Sequence, residues 1–80
     1  MWIKHNDALY NSDHIMEIWQ DKTKIKALMS GITKEADAYV VVLGEFKSVK
    51  NCGEIFRNIS SRLLFDKDDE AGIIIKDTKK

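Results

Sequence analysis

The chain has 80 residues, 44% hydrophobic and 32% charged, with 13 basic against 13 acidic side chains and a formal net charge of zero. That length holds one domain, and the apolar content can offset chain entropy, which excludes a disordered tail. A single cysteine excludes a disulfide scaffold, and the balanced charge lacks the positive excess with which dedicated nucleic-acid binders neutralise phosphates.

Met1–His5 reads as a short strand with Trp2 and Lys4 on one face and Ile3 on the other. Asn6-Asp7 is a turn signal, Ala8–Tyr10 resumes extended chain, and Asn11–Asp13 is a second turn cluster. His14–Gln20 alternates, with His14, Met16 and Ile18 opposed to Ile15, Glu17 and Trp19. Thr23–Met29 alternates again, Thr23, Ile25, Ala27 and Met29 against Lys24, Lys26 and Leu28, so the polar pair Asp21-Lys22 predicts a hairpin.

Ser30–Asp37 is a polar loop with room for a helical turn at Thr33–Ala36. Ala38–Phe46 carries the β-branched run Tyr39-Val40-Val41-Val42-Leu43, apolar on both faces. This predicts a central strand, covered on both sides or meeting a partner on one, with Gly44 marking a bulge or a close approach. Ser48 is a good N-cap for a helix over Val49–Leu64, whose positions Val49, Cys52, Ile55, Phe56, Ile59 and Leu63 repeat at helical spacing. Asp66–Glu70 is an acidic connection, Ala71–Lys76 a last strand, and Asp77–Lys80 a frayed tail. The reading is one α+β domain over residues 1–76: a small antiparallel sheet of four to five strands with one amphipathic helix on one face, in the order β-β-β-β-α-β.

Few residues carry patterns that chemistry requires. His5 and His14, with Asp7 or Asp13, lack the close ligand pairs of a zinc site and read as rim histidines, so no metal or cofactor is expected. Asp66–Glu70 begins like a calcium loop, but Ala71 stands where that loop needs glycine and Asp77 where it needs glutamate. Cys52 lies on the apolar stripe of the helix and reads as a buried structural thiol. Nothing in the spacing brings Glu17 to Glu45 as a carboxylate pair, and no phosphate loop or nucleophile elbow occurs, so no enzyme is expected.

What stands out is a surplus of apolar strand residues over what one helix can cover. Trp19, Leu28, Tyr39 and Val41 are the residues expected at a protein interface, with a second copy or another protein as partner. The alternative is nucleic-acid binding by Lys22, Lys24 and Lys26 beside aromatic rings, although alternate lysines also keep a strand edge soluble. Met1–His5 shows no basic segment followed by an apolar stretch, and no apolar run approaches the roughly 20 residues that cross a bilayer, so the cytoplasm is the expected location.

The opening Trp2-Ile3-x-x-Asn6, followed by Leu9-Tyr10-Asn11-x-Asp13-x-Ile15 running into a strand, is similar to small bacterial and phage-borne α+β proteins of about this chain's length. That resemblance implies strands with a helix near the C-terminus, and it implies no activity and carries over no functional residues.

Overall fold

The computed structural model describes residues 1–31, 38–65 and 72–78. It is an α+β fold of six strands and one helix: β1 (Trp2–His5), β2 (Ala8–Asn11), β3 (Ile15–Asp21), β4 (Lys24–Met29), β5 (Tyr39–Glu45), α1 (Val49–Phe65) and β6 (Ile73–Ile75). The expected turn at Thr33–Ala36 and the acidic connection Asp66–Glu70 lie outside the described residues.

The single sheet expected from the sequence is two three-stranded sheets, ordered β2-β1-β6 and β3-β4-β5. The division follows from the turns. Asn6-Asp7 closes a two-residue hairpin that pairs β1 with β2, while a 3-10 turn at Ser12–His14 ends that ladder and sends the chain into the second sheet. The Asn11 side chain caps this turn by accepting from the Asp13 amide at 3.0 Å. After α1 the chain returns to lay β6 parallel to β1, pairing Ile3 with Ile73 and His5 with Ile75. A helix supplies the long crossover that a parallel partner needs.

The β3–β4 hairpin forms as alternation predicts, but its connection is Lys22-Thr23 rather than Asp21-Lys22, because Asp21 pairs with Lys24. Lys22 takes a left-handed φ of 56°, and the first hairpin places Asn6 at 53°. Asparagine tolerates that region, whereas lysine is strained there. Lys22→Gly should therefore raise stability by about 0.5–1 kcal/mol, read as a higher denaturation midpoint; a lower midpoint would show that the lysine side chain contributes more than its backbone costs.

Ala38–Phe46 is not a central strand. Among the described residues β5 pairs with β4 alone and forms one edge of its sheet, with β3 at the other. Alternation cannot place this strand, since a run apolar in both parities fits a centre and an unprotected edge equally. Gly44 does both things its position predicts. The register slips between Ile25 and Lys26, and a Cβ on Gly44 would stand 2.6 Å from the Phe46 ring and 2.9 Å from Ile75.

One core joins both sheets to the helix. Ile3 of β1, Ile25, Ala27 and Met29 of β4, Leu43 of β5, Phe46 just after it, Cys52 and Ile59 of α1, and Ile73 and Ile75 of β6 are all buried. Ser48 caps α1 as predicted, its hydroxyl accepting from the Asn51 amide at 3.0 Å. Val49, at the open end of the apolar stripe, is exposed instead of packed.

The segment after β6 is not a frayed tail as far as it is described. The Asp77 carboxylate accepts from the Glu45 amide and from His5 Nε2, both at 2.8 Å. The Thr78 amide donates to the Glu45 carbonyl at 3.1 Å, and its hydroxyl accepts from the Lys47 amide at 3.0 Å and donates to Asn51 Oδ1 at 2.6 Å. This clasp ties the first sheet, through His5, to the end of β5 and the first turn of α1. His5 is accordingly buried rather than a rim residue. Partial burial pushes the Asp77 carboxyl upward, but the Glu45 amide, the hydrogen bond from His5 and the charge of that histidine outweigh it and hold the group below its ordinary value.

Candidate docking surface

Opposed residues of an antiparallel pair share a face, so the register defines the side of the β3-β4-β5 sheet turned away from the core. Glu17, Leu28 and Val40 form one row, Trp19, Lys26 and Val42 the next, and Asp21, Lys24 and Glu45 the third. Val40 is 56% exposed and Val42 37%, while Trp19 and Leu28 are half-buried outside the core cluster. The face thus carries an apolar band from Trp19 through Leu28 to the β5 edge, with its charges at the corners.

The structure brings together two of the four expected interface residues. Trp19 and Leu28 lie on this outer face. Tyr39 and Val41 lie on the opposite one, because Tyr39 pairs with Met29 and Val41 with Ala27, both core residues. Val41 packs against the core, and Tyr39 borders a shallow groove between the two sheets with Trp2, Tyr10 and His14. Val40 and Val42, which take their places on the outer face, were not separable in sequence from Tyr39, Val41 and Leu43. Leu28 marks the outward side of β4 in the sequence, but only the strand register supplies Val40 as its partner.

The lysines are dispersed by the same geometry. Lys22 sits in the turn, while Lys24 and Lys26 share the outer face with Trp19. Lys26 Nζ donates to Asp21 at 2.6 Å. That hydrogen bond, followed by the lysine's charge, holds the Asp21 carboxyl below its usual range. Asp21 and Glu45 flank Lys24 in its row, so the patch is locally close to neutral.

Among the described residues, groups that carry chemistry are not gathered. Cys52 is fully buried, and burial pushes its thiol pKa up, away from the reactive thiolate. Glu17 and Glu45 stand on opposite edge strands with β4 between them. His14 is exposed, whereas His5 is buried and bonded to Asp77. Among the described residues no three His, Cys, Asp or Glu side chains converge as metal ligands, and no helix is long and apolar enough to cross a membrane. No protein-family model, curated protein or solved structure matches the chain.

Proposed function

We propose that this protein is a non-catalytic protein-interaction module that docks through the outer face and β5 edge of the β3-β4-β5 sheet, self-association being its expected form. The observation that carries this reading is the position of Val40 and Val42: exposed, adjacent, β-branched and on an edge strand, with Leu28 and Trp19 continuing the apolar band inward. Water-exposed apolar side chains grouped in this way favour a contact that buries them. Protein contact is favoured over nucleic acid because Asp21 and Glu45 offset Lys24 and Lys26 on the same face.

The test is solution mass by analytical ultracentrifugation over a wide concentration range, for the native chain and for Val42→Lys. The substitution should weaken association at least about tenfold while circular dichroism and melting temperature stay close to native, since Val42 lies outside the core. Association unchanged by Val42→Lys would overturn the assignment of this surface.

A further inference from the structure

Resting on that reading, we infer that the occupant of the β5 edge is a second copy of this chain, its own β5 laid antiparallel across a twofold axis to give one continuous six-stranded sheet. An edge strand presents unpaired backbone N–H and C=O groups, and natural edges are protected by charge, proline, bulges or a covering segment. The two edges of this sheet differ in that respect. β3 carries Glu17 and Asp21. β5 has no charged residue and no proline from Tyr39 to Gly44, and its bulge, at Leu43-Gly44, lies at the far end of the strand. Its far end is already covered, since Glu45 gives its amide to Asp77 and its carbonyl to Thr78. Among the described residues, what stays open is the stretch Tyr39–Leu43.

That stretch is self-complementary. With the axis at Val41, Val40 of one copy stands opposite Val42 of the other on the outer face, and Tyr39 stands opposite Leu43. Side-chain parity is kept because residues opposed in an antiparallel pair share a face. No charged side chain from Tyr39 to Leu43 meets another across the new ladder. Other arrangements through this sheet meet like charge, bury several charges or extend past two copies. Pairing two β3 edges about Trp19 would set Glu17 against Asp21 of the other copy. Stacking the two outer faces would desolvate Glu17, Asp21, Lys24, Lys26 and Glu45 together. Joining β5 of one copy to β3 of the next is head-to-tail and gives a ring or a filament, which adds copies beyond a dimer.

Association of the native chain and of three variants, together with hydrogen exchange, tests this. In edge pairing Trp19 lies two strands from the junction, on the order of 10 Å away. Trp19→Ala should therefore leave the dimer dissociation constant within about twofold of native, while Val40→Lys should weaken it at least about tenfold without unfolding the chain. Backbone amides of Val40 and Val42, which point away from β4, should gain hydrogen-exchange protection as concentration rises through the dimer transition, whereas that of Val41, directed at β4, should not change. A dimer that Trp19→Ala weakens about tenfold would mean stacked faces, overturning the edge geometry while the docking surface stands. A chain that is monomeric at every concentration would overturn the second copy as occupant. A dimer indifferent to both Val40→Lys and Val42→Lys would overturn the surface itself.

Discussion

Gly72→Ala should destabilise the fold by at least about 2 kcal/mol, lowering the melting temperature by roughly 10 °C for a domain of this size. Gly72 holds φ at 72°, and a Cβ added there would stand 2.7 Å from the Trp2 carbonyl oxygen. Left-handed backbone strains any residue with a Cβ, and the opposing atom belongs to the main chain, so it cannot swing aside. The position matters because Gly72 leads into β6, and Arg62 donates to its carbonyl at 2.6 Å, fixing that entry against α1. Displacing it disturbs the parallel pairing with β1, the burial of Ile73 and Ile75, and the clasp that follows. Gly53→Ala is the internal comparison. It lies inside α1, where alanine is favoured by about 1 kcal/mol, and its nearest neighbour is the flexible end of Gln20 at 3.3 Å. Thermal denaturation should show a large loss for the first variant and little change or a small gain for the second; equal losses would refute the account of Gly72.

Asp77→Ala should cost about 1–3 kcal/mol, because it leaves the buried His5 ring and the Glu45 amide without their shared acceptor. Asp77→Asn isolates the charge. The carboxyl is held below its ordinary value of about 3.9 in the folded chain, so between the two values the unfolded chain binds more protons and stability rises with pH. The contribution is complete above the unfolded value and is lost as pH falls through the folded one. Chemical denaturation should therefore show a gap between native and Asp77→Asn that is full above about pH 5 and narrows below about pH 4. A gap independent of pH over that range would contradict the ionised clasp.

The two largest elements could be read with little loss. Helical spacing from Cys52 to Leu63 and the Ser48 cap define α1 to within one residue, because capping and periodicity are local properties. Alternation in β4 likewise separates Ile25, Ala27 and Met29 from Lys24, Lys26 and Leu28 without reference to a neighbour. β3 was harder. A register slip between Ile15 and Glu17 puts Ile15 beside Met29 on the core side, where strict alternation had grouped it with Trp19. Bulges of this kind arise from how two strands meet and leave little trace in either alone.

The candidate surface was half legible for the same reason. Trp19 and Leu28 follow from the polarity of their own strands, whereas the uniform run Tyr39–Leu43 contains no alternation from which to choose Val40 and Val42 over Tyr39 and Val41. Long-range pairing made that choice, and it also made β5 an edge. The same holds for the clasp, where His5 and Asp77, 72 positions apart, share a hydrogen bond that no spacing rule anticipates. Residue-level physics alone determined the class, the helix, the buried thiol and the presence of surplus apolar surface. Only the tertiary structure decided that there are two sheets, which strand lies open, and which valines face water, because those depend on free-energy differences between pairings that are distant in the chain and nearly equivalent in composition.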